Sequence, residues 1–580
     1  MLQDKDLISI QEVRSKVEKA YAAAQKYRAY TQEQVDSIVE SMAEAGRANA
    51  QRLAEMAVEE TGYGNVRDKL AKNLLCADLL PRRMRGMKTV GVLREIPEDG
   101  VIEIGVPVGV VAAILPTTNP TSTAIYKSLI ALKAGNSVVL SPHPRAHKCT
   151  CHTADLLYEA AVKAGAPDDI IQCITQPTLE ATQELMRHHR TGVILSTGGH
   201  GIVKAAYSSG NPAFGVGPGN VPVLIDRSAD VAAAVAQAVE GKEFDYGTVC
   251  SSEQAVVAEE ALREPILAAL KAERTYFCND AQKEALARLL LTPNWTVNPK
   301  CVGQSATRIA QMAGFDVPPE TRVLIAEIHG VGKQHPLSAE KLSPVLALYF
   351  VKDWAAALET CEALLRFGGL GHTCVIFSKD DARVREFGMR MPAFRILVNT
   401  PAPHGSTGIT TNVFPSMTLG CGAMAGNATS DNVGPQHLIN IKRIAYAVRK
   451  AEEAFQVPRP AAVAAGAAVD RRAVTAAVER YLTERGITVS PTRAEEVVER
   501  FLAGRRIAPA TPPPSPAEGS APQPEPPKPP ASKPETVDFV CENDVRAAIA
   551  QSRKIYVGPK AIVTPSAREL GEQYDILVRT

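Results

Sequence analysis

The 580-residue chain has almost no net charge, few aromatic residues and no long apolar run. Its 64 basic and 63 acidic residues leave a formal charge of +1. The basic residues are scattered rather than gathered in a stripe, so no nucleic-acid partner is expected. No apolar stretch approaches the roughly 20 residues that span a bilayer. The charged opening Met1-Leu2-Gln3-Asp4-Lys5-Asp6 is followed by no apolar segment of signal-peptide length. A soluble cytoplasmic protein with no membrane partner is therefore expected. The 11 cysteines are odd in number and unpaired in spacing, which speaks against a disulfide framework and for reduced thiols. His147, Cys149, Cys151 and His152 fall on an expected helix, where residues two apart point to different sides. No second ligand cluster follows at zinc-site spacing, so no metal is expected. A dinucleotide GxGxxG fingerprint is also missing: Gly215-Val216-Gly217-Pro218-Gly219-Asn220 is glycine-rich but wrongly spaced.

The chain's length implies about two to four domains. Residues 10–60 carry apolar positions at helical spacing among many Ala, Glu, Lys and Gln, which predicts two or three amphipathic helices. The apolar run 108–115 stops at Pro116, as suits a parallel strand buried on both faces, and Asn119 lies in the loop at its carboxyl end. Short apolar strands follow at 137–140, 170–174, 192–195 and 221–225, separated by helix-compatible stretches. The alternation predicts a doubly wound α/β domain whose ligands sit beyond the carboxyl ends of the strands. A second α/β region from Val231 has strands expected at 255–257, 345–351, 374–378 and 394–399. The segment 90–106 alternates like an exposed hairpin.

From about Val457 the composition changes, and the proline-rich stretch 508–535 reads as an extended linker. Two short helices are predicted before it. Val474, Ala477, Val478, Tyr481 and Leu482 share one face, as do Ala494, Val497, Val498, Phe501 and Leu502, and Thr492 with Glu495 suggests a capping box for the second. Helices this short are marginal alone. Either they pair as a hairpin or pack on their own enzyme, or at least one docks its apolar face on another protein.

The densest chemistry lies in Glu243-Phe244-Asp245-Tyr246-Gly247-Thr248-Val249-Cys250-Ser251-Ser252-Glu253-Gln254, where a small-residue turn presents Cys250 just before a strand-like run. A cysteine so held can be a nucleophile. Together with Pro116-Thr117-Thr118-Asn119-Pro120-Thr121 and Thr418-Leu419-Gly420-Cys421-Gly422, this segment resembles the aldehyde dehydrogenase superfamily, in particular its branch that acylates coenzyme A. The resemblance covers about residues 5–450.

It implies that Cys250 attacks an aldehyde and that Asn119 donates a hydrogen bond to the resulting oxyanion. An Asx turn before Pro120 is the alternative role for Asn119. Thr197, Gly198 and Gly199, in Ser196-Thr197-Gly198-Gly199-His200-Gly201, would meet the pyrophosphate of NAD, and Glu340 would hold the nicotinamide ribose. Ser141 and His143, in Ser141-Pro142-His143-Pro144, would lie near the adenine ribose. Hydrolytic relatives have Lys and Glu there. They also place a water-activating Glu, in a Glu-Leu-Gly-Gly motif, where this chain has 215–220 and no carboxylate. The expected acceptor of the acyl group is therefore the coenzyme A thiol. His372 matches a family histidine near the active site and either assists a thiol proton or is structural. Cys421 stands near the pocket as a wall.

The resemblance divides the chain into an NAD/CoA-binding portion, 1–225, completed by about 425–456; a catalytic portion, 226–424; linkers with two amphipathic helices, 457–535; and an appendage, 536–580. The tail resembles the encapsulation segments of bacterial microcompartment aldehyde dehydrogenases. Residues 470–506 would then meet shell or co-cargo proteins inside a microcompartment lumen. The segment Lys560-Ala561-Ile562-Val563-Thr564-Pro565-Ser566-Ala567-Arg568-Glu569-Leu570-Gly571 looks like one shared by other such enzymes. Propionaldehyde or acetaldehyde is the expected substrate, and a homodimer or higher oligomer the expected assembly. No iron-dependent alcohol dehydrogenase domain is read after residue 450. A reductase that uses an acyl phosphate shares the fold and nucleophile, and a non-catalytic microcompartment scaffold is the alternative of a different class.

Overall fold

The computed structural model describes residues 4–455, 470–486, 490–503 and 537–579, except 552, 565, 566, 569, 572, 573 and 575. The proline-rich stretch 508–535 lies outside them. The chain divides into two units, 1–457 and 458–580.

In the first unit the alternating segment 90–106 is an antiparallel hairpin of β1 (Gly91–Ile96) and β2 (Val101–Pro107). The continuous apolar run after it forms β3 (Val110–Ile114), the centre of a parallel sheet with β4 (Ser137–Ser141), β5 (Ile171–Cys173), β6 (Thr191–Thr197) and β7 (Ala213–Val216), in the order β5-β4-β3-β6-β7. The two faces of β3 explain why the run is apolar throughout. Val110, Ala112 and Ile114 pack with Val13, Val17 and Ala20 of the helix Lys5–Tyr27, while Val111 and Ala113 pack with the helices Gln32–Ala48 and Pro120–Lys133 on the other side. Period-2 alternation thus sends residues to two different cores, both buried.

A second parallel sheet contains β8 (Val221–Ile225), β9 (Glu253–Glu259), β10 (Tyr276–Phe277), β11 (Leu324–Glu327), β12 (Val345–Val351), β13 (Gly371–Phe377) and β14 (Ala393–Val398), ordered β10-β11-β12-β9-β8-β13-β14. It too is covered on both faces, by the helices Val231–Glu243 and Arg263–Ala272 on one and Trp354–Gly368 on the other. Strand β8, grouped on sequence with the first region, pairs with β9 and β13 instead. Five apolar residues buried on both faces carry no mark of which sheet they join. Strands β7, β10 and β11 are too short to stand out in the sequence. A late strand, β15 (Ile439–Ala445), pairs antiparallel with β2 and leaves Ile441, Ile444 and Tyr446 exposed near it.

In the second unit the helices Arg471–Glu484 and Pro491–Ala503 pack together, burying Ala494 and Val498 while Tyr481 and Val497 stay exposed. The second helix begins at Pro491 and not after Thr492, because proline suits the first helical position; Thr492 lies inside the first turn. Strands β16 (Val537–Val540), β17 (Ile555–Val563) and β18 (Leu577–Arg579) form a small parallel sheet, with the helix Glu542–Ala550 contributing Val545 and Ala548 to its core. Among the described residues no helix is long and apolar enough to cross a membrane.

Candidate active site

The two large sheets meet at a cavity of about 890 Å³. The carboxyl ends of the first sheet supply one wall: the loop after β3 gives Pro116 to Asn119, that after β4 gives Ser141 to Arg145, and that after β6 gives Thr197 to Gly199. The amino ends of the second sheet supply the other. Gly217 and Pro218 precede β8, Thr248 to Cys250 precede β9, Glu340 and Leu342 precede β12, and Phe367 and Gly368 precede β13. Eight of the nine residues expected to form the site, namely Cys250, Asn119, Ser141, His143, Thr197, Gly198, Gly199 and Glu340, line this one cavity.

Cys250 follows a turn in which Asp245, Tyr246 and Gly247 have φ of 47°, 53° and 73°. Two of these are not glycine, and left-handed backbone costs such residues about 1–2 kcal/mol each. The buried Asp245 carboxylate anchors the turn. It pairs with Lys69 at 3.1 Å and with Lys72, accepts the Asn65 N–H at 3.0 Å, and accepts the Thr248 hydroxyl. Its own N–H donates to Asp68 Oδ2 at 2.7 Å. The Cys250 thiol is half-buried, and burial pushes it up to about 12, with Glu340 and Cys421 adding to the rise and Arg395 opposing it. In the ligand-free protein Cys250 is therefore held as a thiol.

Asn119 is the N-cap residue of the helix Pro120–Lys133, but its side chain makes no capping hydrogen bond, so the Asx turn considered from sequence does not form. Its Oδ1 accepts from Lys72 Nζ at 2.5 Å, and its Nδ2 donates to Thr118 Oγ1 at 3.1 Å. One N–H of Nδ2 remains for the cavity. Glu340 accepts the Gly219 N–H at 3.2 Å, and burial pushes its carboxyl up to about 7. Among the described residues it is the one carboxylate lining the cavity. The glycine loop 215–220 runs against Cys250: a Cβ on Gly219 would stand 1.9 Å from the Cys250 carbonyl oxygen.

His372 does not line the cavity. It is fully buried behind Gly219, with Nδ1 on Thr373 Oγ1 at 2.9 Å, and its Cδ2 would lie 3.4 Å from a Cβ at Gly219. Burial, aided by Arg395, holds its imidazole well below its ordinary range and hence neutral. Cys421 is buried with Val216 and Leu419 beside Cys250; Leu419 lines the cavity and Cys421 does not.

The other wall fits a dinucleotide. Gly199 precedes the helix His200–Tyr207 with no side-chain cap, and a Cβ there would meet nothing within 4 Å. The helix amino end is therefore open to a phosphate, to which backbone N–H groups and the dipole are favourable. Ser141 Oγ lies 3.1 Å from Thr182 Oγ1, and His143 Nδ1 accepts the Arg145 N–H at 3.1 Å. Arg145 in turn donates to the Tyr63 hydroxyl.

Sequence reasoning did not find Lys69, Lys72 or Arg395. Lys69 and Lys72 lie three apart on the helix Val66–Leu74, a spacing equally common on solvated faces, so no local signal marked them as buried.

Residues 5–284 match the aldehyde dehydrogenase family. The bifunctional aldehyde-alcohol dehydrogenase of Escherichia coli is 45% identical over 442 residues, which are 75% of this chain and 50% of that protein. The chain thus spans about half the length of that relative. The succinate-semialdehyde dehydrogenase (acetylating) of Clostridium kluyveri is 38% identical over 445 residues, covering 77% of this chain and 97% of it. Among solved structures, an acetylating aldehyde dehydrogenase from Geobacillus thermoglucosidasius is 52% identical with a TM-score of 0.76, covering 77% of this chain and 99% of that one. A propionaldehyde dehydrogenase from the fucose utilisation microcompartment of Clostridium phytofermentans is 30% identical with a TM-score of 0.67, covering 75% and 97%. A propionaldehyde dehydrogenase of Rhodopseudomonas palustris, solved with bound CoA and an acylated cysteine, is 27% identical with a TM-score of 0.67, covering 75% and 97%.

Proposed function

The chain belongs to the aldehyde dehydrogenase family, and on that premise we propose that it converts a short-chain aldehyde, propionaldehyde or acetaldehyde, with NAD and coenzyme A into the acyl-CoA and NADH. The observation that carries the reading is the nucleophile's surroundings: a cysteine beside a donor amide, faced by the backbone of Gly217 to Gly219 where a water-activating carboxylate would stand.

In this reading the Cys250 sulfur, once deprotonated, adds to the aldehyde carbon, and the carbonyl oxygen becomes an oxyanion. The Asn119 Nδ2 and the Cys250 N–H donate to it. As the oxyanion collapses, the C–H bond breaks with loss of hydride and a thioester forms on Cys250. Bound NAD supplies the hydride acceptor. Thr197, Gly198 and Gly199 with the amino end of the helix His200–Tyr207 would hold its pyrophosphate, Glu340 the nicotinamide ribose, and Ser141 and His143 the adenine side. General-base assistance is worth roughly 10²–10⁴-fold, so without it water attacks the thioester poorly and the more acidic coenzyme A thiol takes the acyl group. His372, neutral behind the Gly219 backbone, would shape that wall or accept a thiol proton.

The test mixes the protein with NAD and C2 to C4 aldehydes and follows NADH with and without coenzyme A. Sustained NADH production that needs coenzyme A supports the reading. Turnover with phosphate in its place would favour the acyl-phosphate reaction. Absence of turnover with any aldehyde would sink the assignment, and a Cys250→Ala protein that keeps its whole cellular role would favour a scaffold.

Residues 1–225 with 425–456 would serve NAD and coenzyme A, and 226–424 the nucleophile. The exposed Ile441, Ile444 and Tyr446 beside the hairpin suit a homodimer or higher oligomer. Residues 470–506 would dock on shell or co-cargo proteins of a microcompartment, supported by the exposed Tyr481 and Val497 and by the similarity to a microcompartment enzyme. Deleting 457–580 should leave kinetics nearly unchanged while abolishing co-localisation with shell protein.

A further inference from the structure

We propose that Lys72 is a positioning residue that fixes which end of the Asn119 amide faces the substrate and locks that amide to the turn carrying Cys250. The inference rests on the reading of Asn119 as an oxyanion donor.

A side-chain amide can sit either way round, and only one orientation offers an N–H to an oxyanion. An ammonium has three donors and no acceptor, so whatever polar atom stands against it must accept. Lys72 Nζ stands 2.5 Å from Asn119 Oδ1. Turning the amide over would press its NH₂ against the ammonium and leave buried donors unsatisfied, which is costly in a dry interior. The Lys72 contact therefore forces Nδ2 to the opposite side. There Thr118 Oγ1 takes one N–H at 3.1 Å, and the other is left for the cavity that Asn119 lines.

The same ammonium reaches the nucleophile's turn. It pairs with Asp245 and lies 3.4 Å from Thr248 Oγ1, two residues before Cys250. One fully buried cation thus joins the loop after β3 to the turn before β9, two segments brought together only by the approach of the two sheets. Charge balance alone does not require it. Lys69 already pairs with Asp245 at 3.1 Å and spends its remaining reach on the Thr118 carbonyl at 3.0 Å. The nearby Asp68 gives its carboxylate to the Asp245 N–H and to Asn65 Nδ2, and no ion pair of either lysine with Asp68 occurs among the described residues. A second buried cation on one carboxylate carries a desolvation cost. Its contact with Asn119 is the feature that Lys69 does not duplicate.

The experiment measures the single-turnover rate of NADH formation at saturating aldehyde, together with NAD affinity and thermal unfolding. The proteins are wild type, Lys72→Met, Lys69→Met, Asn119→Ala and the two double variants with Asn119→Ala. Removing an oxyanion donor costs about 10²–10³-fold, and Lys72→Met is expected to cost about 10–10²-fold without changing NAD affinity. Asn119→Ala should then cost only about tenfold more in the Lys72→Met background, because the two act as a unit, yet keep its full effect in the Lys69→Met background. Lys72→Gln, which keeps an N–H for Asn119 Oδ1 without the charge, should recover part of the rate and serves if Lys72→Met folds poorly. Additive losses for Lys72→Met and Asn119→Ala, or an equal loss in Lys69→Met, would overturn the role of Lys72 while leaving the proposed function standing. A wild-type rate in Asn119→Ala would overturn it together with the role of Asn119. No NADH from wild type with any aldehyde would remove the proposed function itself and this inference with it.

Discussion

On the nucleophile wall of the cavity Asp245 and Thr248, with Lys69, Lys72 and Asn119 reaching them from the helix Val66–Leu74 and the loop after β3, are buried and bonded to one another through charged groups. On the opposite wall Ser141, His143 and Thr197 reach only Thr182, a neighbouring backbone N–H and Thr418, and the rest is glycine and an open helix end. In the proposed reaction the first wall holds reacting atoms to a fraction of an ångström, and bonds to charged groups in a dry interior do that. In the proposed reaction the second admits a dinucleotide and then a second long cosubstrate. Backbone donors around open space serve that purpose, because they recognise phosphate without filling the entrance.

Substitutions should therefore hurt the two walls unequally. The largest effect is expected at Cys250: Cys250→Ala should form no acyl adduct detectable by intact-protein mass spectrometry, with NAD affinity unchanged. The thiol itself reports how dry its wall is. With burial holding it near 12, its thiolate fraction rises about tenfold per pH unit, so alkylation by iodoacetamide should climb about a thousandfold from pH 7 to pH 10 without levelling. An ordinary thiol near 8.5 would level off above pH 9, and a plateau there would show that the wall is wetter than its burial implies. Asn119→Ala should lower the single-turnover rate by about 10²–10³-fold with little change in KM. Gly219→Ala, which drives a Cβ into the Cys250 carbonyl, must shift the nucleophile's own backbone. A displacement of about 1 Å can cost 10²-fold, and kcat should fall by about that much. On the cofactor wall, Ser141→Ala removes one hydroxyl contact, so KM for NAD should rise only about two- to fivefold at constant kcat. A large kcat loss there would erase the contrast between the walls.

Much of this site is visible in one dimension. Cys250 is marked by its small-residue turn, Asn119 by its place after an apolar strand that stops at proline, and the missing carboxylate by the glycine loop 215–220. These are local patterns, and local backbone needs produce them. The charged anchor is not visible. Asp245 sits inside the same turn, but nothing near it says that it meets Lys69 and Lys72 from about 175 residues away. The depth of His372 is not visible either: its motif brings it to the site's neighbourhood, and only the fold shows that it is fully buried beside Gly219 and does not line the cavity.

The sequence alone determined the longer apolar strands, the small-residue turn that presents Cys250, the lack of a carboxylate in 215–220 and the break in composition near Val457, because apolar periodicity, turn residues and absent groups are properties of short segments. Tertiary structure decided which sheet β8 joins, which wall each loop faces, and which cations anchor the turn before Cys250. Those outcomes depend on how two separately wound sheets approach each other, carboxyl ends to amino ends, and distances between their loops exist only once both cores have packed.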